Sequence, residues 1–322
     1  MRWRKFIMML GGAAVAWPLA ALAQSYPTRP VRIIVPFAPA GPTDVFARLL
    51  VQKLAQNLGQ LYIENQVGAG GNIGMGNAAR AVPDGHTIVF VSTSFIVNPS
   101  LYAKIPYDPF KDFAPVTLAA ASPNVLTVHP SIPAKDVKEL IAHIKVNPGK
   151  YSFASAGLGT TPHLSGELFK LSQKLDLVHV PFNGSAPAIQ SAIAGHTPIA
   201  FTVVTPAVQQ VKEGKLRALA VTTPKRTSAL PEVPTLAEAG LPDQEADTMQ
   251  GILVPAGTPK AIIELLHREI VKVMALPDVQ ERMAVLGFEP VASTPEEFAA
   301  RIKVEIPKWA KVIRDANIKA DP

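Results

Sequence analysis

The sequence predicts an α/β protein of two similar domains joined by two crossing strands. Apolar, strand-like runs alternate with amphipathic helical stretches along the whole chain. Four of the strand-to-helix junctions carry glycine-containing loops. The length of 322 residues suits two domains at roughly 100–200 residues each.

The first unit, residues 31–59, sets the pattern. Arg32-Ile33-Ile34-Val35 is β-branched and apolar, as a strand covered on both faces should be, and Pro36 ends it. Gly41 suits an N-cap, Pro42 the first helical position, and Asp44 the first turn, where the helix dipole favours an acid. Val45, Leu49, Leu50 and Leu54 recur at helical spacing before Gly59 stops the helix. A glycine turn between strand and helix leaves backbone N–H groups directed at one spot, which is a seat for an anion. A single such unit is also an ordinary feature of any α/β protein.

Three later stretches repeat the design. Residues 62–65 lead into the glycine cluster 68–74, residues 151–154 into the loop 155–162, and residues 177–182 into Asn183-Gly184-Ser185. Val35-Pro36-Phe37 recurs as Val180-Pro181-Phe182, which suggests two similar halves whose loops face each other.

Composition narrows the function. Hydrophobic residues at 48% can fill packed cores, while charged residues at 17% argue against disorder and nucleic-acid binding. Residues 1–23 read as a signal peptide: Arg2, Arg4 and Lys5, an apolar run, then Ala21-Leu22-Ala23 before Gln24. Its loss takes the formal charge from +6 to +3, compatible with an anionic ligand without specifying one. With no cysteine there is no disulfide framework and no lipid-attachment thiol. The mature chain is therefore expected to be soluble and extracytoplasmic.

Along the chain, residues 86–91 read as a third strand ending in Ser92-Thr93-Ser94, and residues 98–112 as a proline-punctuated surface loop. Residues 115–128 read as a long strand broken at Ser122-Pro123-Asn124, the first crossing. A helix over 136–146, strands over 198–202 and 216–221, and a helix from Thr205 to Gly214 belong to the second domain. After a surface loop over 222–242, residues 249–254 return as a strand to the first domain, and two helices, 259–276 and 295–317, finish the chain. The expected division is 24–122 with 250–322 for the first domain and 123–249 for the second.

Enzyme signatures are weak. The stretch around Ser155 has Phe153 where a nucleophile elbow needs its first glycine, and the cluster 68–74 lacks the Lys-Ser/Thr ending of a phosphate-binding loop. The seven histidines show no metal-ligand spacing, so neither metal nor cofactor is expected. His163, after a glycine loop, is either a ligand contact or a structural histidine. Lysines and arginines are dispersed without aromatic interleaving, against a nucleic-acid partner.

The succession VPFAPAGPTD, GAGGNIG, PDGHT, NPSLYAKIPYDPFKDFAPV, GTTPHLSGELF, VPFNGSAPAIQSAIAG, TSALPEVPTLAEAG and VPAGTP resembles the substrate-binding receptors of tripartite tricarboxylate transporters, the Bug receptors of Gram-negative bacteria. The resemblance spans essentially the whole mature chain. It implies a type II-like periplasmic binding-protein fold, a monomer, that closes on a small di-, tri- or aromatic carboxylate and delivers it to membrane permease subunits. A secreted hydrolase-like enzyme and a receptor for a signalling kinase are the competing readings.

The family's ligand loops map onto Phe37, Ala40, Gly41, Thr43 and Asp44; Asn72; Ser92 and Ser94; Ser155, Ala156, Gly157 and Thr160; and Asn183 and Ser185. Two departures fall near the expected pocket. Ala40 and Pro42 flank a lone Gly41 where a glycine run is usual, and Gln250 lies where a tryptophan commonly precedes the returning strand. The loops contain neither Arg nor Lys, so recognition by hydroxyls, amides and helix-start N–H groups is expected, with Asp44 either contacting the ligand through water or bracing its loop.

Overall fold

The computed structural model of the protein describes residues 26–319, so the expected signal peptide lies outside the described residues. Strand β1 (Val31–Val35) is buried apart from Arg32, because parallel neighbours and helices cover it on every side. Those neighbours are β2 (Leu61–Asn65) and β3 (Thr87–Ser92). Between β1 and β2 runs α1 (Pro42–Leu58), with Gly41 extended at its N-cap and Phe46, Leu50 and Leu54 buried against the sheet. The glycine cluster passes through a 3₁₀ turn (Ala69–Gly71) into α2 (Asn72–Ala79). Gly74 sits against backbone: a Cβ there would lie 2.9 Å from the Gln66 carbonyl oxygen and 3.0 Å from Pro36 Cα. The GAGGNIG motif thus lets α2 press onto the end of β1.

After β3, α3 (Ser94–Leu101) runs straight through Asn98-Pro99, where the sequence reading placed a surface loop. The helix survives Pro99 because it is short and buries Phe95, Ile96 and Val97; burial outweighs one missing backbone bond. The chain then crosses to a second sheet. Strand β4 (Phe113–Ser122) belongs to the first sheet and β5 (Asn124–Val128) to the second, with Pro123 between them. The second half continues with α4 (Val137–Lys145), β6 (Tyr151–Ser155), α5 (Thr161–Gln173), β7 (Leu177–Pro181) and α6 (Ser185–Ile193). It closes with β8 (Ile199–Val203), α7 (Val204–Lys212) and β9 (Arg217–Val221). The chain returns to the first sheet as β10 (Thr248–Pro255), followed by α8 (Lys260–Met274), α9 (Pro277–Val285), β11 (Glu289–Pro290) and α10 (Pro295–Asp315). Three helices therefore end the described chain, one more than the sequence suggested; α9 buries little beyond Val279 and Met283, too weak a stripe to read.

The sheets have orders β11-β4-β10-β3-β1-β2 and β7-β6-β8-β5-β9. Both contain a parallel trio, β2-β1-β3 and β7-β6-β8, flanked by an antiparallel strand, β10 or β5. The halves are thus alike, but β6 is the counterpart of β1. The repeated Val-Pro-Phe lies at the end of β1 in one half and of β7 in the other, so it does not mark equivalent positions.

The crossing is pinned on the second-half side, and helix packing with an ion pair joins the two halves. At the crossing, the Ala246 carbonyl accepts from the Thr222 hydroxyl at 2.7 Å and from the Asn124 side-chain amide. Helix α10 lies on the first sheet, and Leu164, Leu168 and Leu171 of α5 join Phe298, Ile302 and Trp309 in one apolar cluster. Arg301 of α10 also pairs with Asp247, just before β10, and with Glu305 at 2.9 Å.

Gly74→Ala tests the packing of the glycine motif. Alanine is the better helix former, yet its methyl group would meet immobile backbone. A loss of about 1–3 kcal/mol in urea denaturation is expected, and equal or greater stability would show that α2 can move away.

Candidate functional site

The carboxyl ends of β1, β3, β6 and β8 open on one cavity of about 570 Å³ between the sheets. Ligands of open α/β sheets bind in such crevices. Hollows of about 540 and 560 Å³ flank α10, but side chains of helix surfaces and loops line them rather than strand ends. From the first half the cavity is lined by Phe37, Pro42, Gly70, the Ser92-Thr93-Ser94 turn, and Asn98, Leu101 and Tyr102 of α3. From the second half come Ala156, the 158–162 loop, Gly184-Ser185 and Val203, with Thr248 at the returning strand. Gly159 and Leu101 meet across the mouth, so closely that a Cβ on Gly159 would lie 2.6 Å from Leu101 Cδ2. None of these lining residues is Arg, Lys, Asp, Glu or His.

Helix starts supply the polarity instead. The residues opening α1, α3, α5 and α6 line the cavity, and none of these helices has a side-chain cap. Of the helices that start elsewhere, α4 and α10 are capped, by Asp136 and by a Thr294–Glu297 capping box, whereas α8 and α9 are not. Apart from the Ser94 amide of α3, which donates to the Ser92 hydroxyl oxygen at 3.3 Å, the uncapped amides are free to meet solvent or a ligand. The Gly184 amide donates to the Ala156 carbonyl at 3.1 Å, which draws the starts of α5 and α6 together.

Of the residues singled out in sequence, Phe37, Ser92, Ser94, Ala156, Thr160 and Ser185 line the cavity. The others do not, for identifiable reasons. Asp44 is fully buried and accepts from the Ala40 amide at 2.9 Å, from Arg48 at 2.8 and 3.0 Å, and from Asn65 at 2.9 Å. Burial alone would raise its pKa, but the bonds from Arg48, Asn65 and Ala40 together hold its carboxyl below the usual range. It braces the first loop, holding Ala40 at φ 63°, a left-handed conformation in which glycine would be at ease. Ala40 and Gly41 form the outer turn of that loop, and Thr43 is buried behind it. Asn72 is likewise internal: its Oδ1 accepts from Asn98 at 2.8 Å and from Tyr107 at 3.3 Å. Asn183 points to solvent.

Ser155, Gly157 and His163 belong to a support beneath the second loop. The Ser155 hydroxyl is fully buried and lies 2.7 Å from Nε2 of His179. His163 stacks on His179 at 3.8 Å between ring centroids, and its Nδ1 accepts from the Gly159 amide at 3.0 Å. Burial, together with the charges of His179 and Lys170, pushes the His163 imidazole down to about 3; burial and Lys170 push His179 down to about 4. Both rings are therefore neutral near pH 7. Gln250 is 1% exposed on β10 opposite Ser92, and among the described residues neither its amide oxygen nor its nitrogen has a partner.

Sequence reasoning missed Asn98, Leu101, Tyr102, Val203 and Thr248, whereas Leu158 falls within the expected loop 155–162. The spacing of Ser94, Asn98, Leu101 and Tyr102 is one helical face, a signal hidden by reading Pro99 as a loop residue. Among the described residues, no group of three or more His, Cys, Asp or Glu is placed to hold a metal ion. None of their helices is long and apolar enough to cross a membrane.

Two α/β halves, two crossing segments and a cleft at the carboxyl ends of both sheets define a two-domain periplasmic binding-protein fold. A family model described as "Tripartite tricarboxylate transporter family receptor" matches residues 46–318. Protein BugT of Bordetella pertussis is 36% identical over 315 residues, covering 97% of this chain and 96% of BugT. Among solved structures, Rpa4515 of R. palustris with adipate is 33% identical with a TM-score of 0.76, covering 91% of this chain and 99% of that one. MatC of Rhodopseudomonas palustris with bound malate is 34% identical with a TM-score of 0.72, covering 89% and 100%. The chain belongs to the tripartite tricarboxylate transporter receptor family, which includes the Bug proteins.

The buried imidazoles predict a pH dependence. Unfolding frees both to take up protons near pH 6.5, whereas the folded protein resists protonation until about pH 4 or below. Their contribution is thus complete above pH 6.5 and is lost as pH falls toward 4. Denaturation midpoints at stepped pH should fall across that window. His179→Gln should flatten part of the slope, and an unchanged slope would show that other groups cause it.

Proposed function

We propose that the protein is a periplasmic receptor that captures a small carboxylate between its two halves and delivers it to the membrane subunits of a tripartite transporter. The observation that carries this reading is the uncharged cleft on which four uncapped helix starts converge. Oriented amides and hydroxyls hold a carboxylate without a cationic side chain. The relatives with adipate and malate support the same ligand chemistry. Export by the leader at residues 1–23 and action as a monomer complete the proposal.

The domain boundaries we propose are 24–122 with 250–322 and 123–249, which lie within two residues of where the chain passes between the two sheets, β10 of the first sheet beginning at Thr248. The two crossings near Pro123 and Gln250 would act as the hinge on which the halves close. A hydrolytic role is disfavoured by the position of Ser155. The Ser155–His179 pair resembles part of a catalytic set, but the serine is sealed under its loop, away from the cavity lining.

Titration calorimetry against mono-, di- and tricarboxylates tests the reading, with mass spectrometry of the recovered ligand. Binding with the ligand returned intact is expected, and conversion of the ligand would establish an enzyme. Ser185 presents a hydroxyl at the start of α6 with no partner among the described residues. Ser185→Ala should weaken binding by about ten- to a hundredfold, the effect of losing one hydrogen bond to a charged group.

A further inference from the structure

We infer that the cleft holds a second anion seat, at the start of α3 on the first half, and that Thr248 reads the far end of the ligand there. This rests on the receptor reading above and deepens it: the ligand carries a carboxylate at each end. One seat lies on the second half. There α5 and α6 begin side by side with no acid in the first turn of either, and Thr161 and Ser185 at those starts line the cavity. On the first half, α3 also begins at the cavity with no acid in its first turn. Its dipole favours an anion at that end.

Strand β10 adds unpartnered polar groups beside this start. Gln250 pairs with Ser92 across the ladder, so their side chains share one face of the sheet, and Thr248 lies on the same face two residues away. Ser92 and Thr248 line the cavity, and Gln250 sits beneath them, 1% exposed. Among the described residues, the Thr248 hydroxyl and both polar atoms of the Gln250 carboxamide are buried with no hydrogen-bond partner. Leaving such atoms unmet is costly, and in one place they suit a group that arrives from the cavity. Thr248 needs only a change of χ1 rotamer to present its hydroxyl there. Gln250 is the positioning residue beneath it.

The turn into α3 supplies the rest of the seat. The Ser92 oxygen accepts from the Ser94 amide at 3.3 Å, and the two hydroxyls lie 3.2 Å apart. They share at most one hydrogen between them, so one O–H remains to donate. Thr93 is used elsewhere. Its hydroxyl donates to the Asp247 carbonyl at 3.4 Å and accepts from the Met249 amide at 3.0 Å, which fixes the α3 start against β10. The acid next to Thr248, Asp247, is paired with Arg301 of α10. Both ends of the ligand are therefore met by the same chemistry, neutral donors at helix starts.

Adipate and hexanoate share a six-carbon chain and differ in the second carboxylate; succinate and butyrate form the same pair at four carbons. Calorimetry should show the tighter-binding diacid exceeding its monoacid by at least about tenfold. Thr248→Val removes the hydroxyl at nearly constant volume. It should weaken that diacid about tenfold and leave the monoacid nearly unchanged. The melting temperature should stay the same or rise, because a buried unmet hydroxyl is lost. Gln250→Leu should act in the same direction on all three counts. Equal weakening of both acids with a lower melting temperature would mark these residues as structural and overturn the inference. So would monoacids that bind as tightly as their diacids, or a diacid preference that survives Thr248→Val, with the carboxylate receptor left standing. Failure of all four acids, and of malate and citrate, would overturn the receptor reading and this inference with it.

Discussion

The cleft depends on backbone amides that the fold leaves without partners. A helix start carries N–H groups that no preceding turn can accept, and burying them unpaired costs about 1–3 kcal/mol each. This chain resolves the problem in two ways. Away from the cleft, α4 and α10 are capped by a side chain, whereas α8 and α9 leave their first amides to solvent. Where helices start at the cleft, the caps are missing and water or ligand must serve. Gly41 and Gly184 occupy N-cap positions without offering a side-chain acceptor, and Pro42 and Pro162 open helices without an N–H of their own. A Ser, Asp or Asn cap at the cleft would steady the free protein and compete with an anion for the same amides.

Charged and titratable side chains have the complementary task of holding the loops that present those amides. Asp44 ties Ala40, Arg48 and Asn65 together behind the first loop. His163 and His179 stack behind the second, fixing Gly159 and Ser155. These groups lie close to the cleft without entering it, so their fields are used within the protein. The consequence is a rigid, neutral surface whose geometry is set from behind.

Much of the fold was legible because local signals agreed. In residues 31–59 the β-branched strand, the Pro42 start, the Asp44 position and the Gly59 stop all favoured one structure, and that structure formed. The first crossing was legible because Pro123 cannot donate within a ladder. Misreadings arose where tertiary packing overrode a local rule, as at Pro99, or where an element was short, as with α9 and β11. The cleft was legible as a set of loops but less so residue by residue. Ser155 and Ser185 look alike in sequence, each at a strand-to-helix junction. Whether the hydroxyl faces inward or outward depends on His179, a partner 24 residues away that no local pattern reveals. Asp44 was legible as a brace or a ligand contact; choosing between them required Asn65 and Arg48 in place.

The similarity of the two halves sharpens how the cleft works. Each sheet presents a parallel trio whose strand ends and helix starts face the other half, and the chain crosses twice beside them. Two such surfaces approach without charge repulsion because neither lines the cavity with ionised groups. Leu101 already touches Gly159 across the mouth, and α5 already packs on α10. A neutral cleft can therefore come together on apolar contact before any anion compensates it, which an arginine-lined cleft would resist. The ligand's charge then has to be met by dipoles whose direction is fixed by the fold, so fit to the cavity, more than counter-charge, decides what is retained.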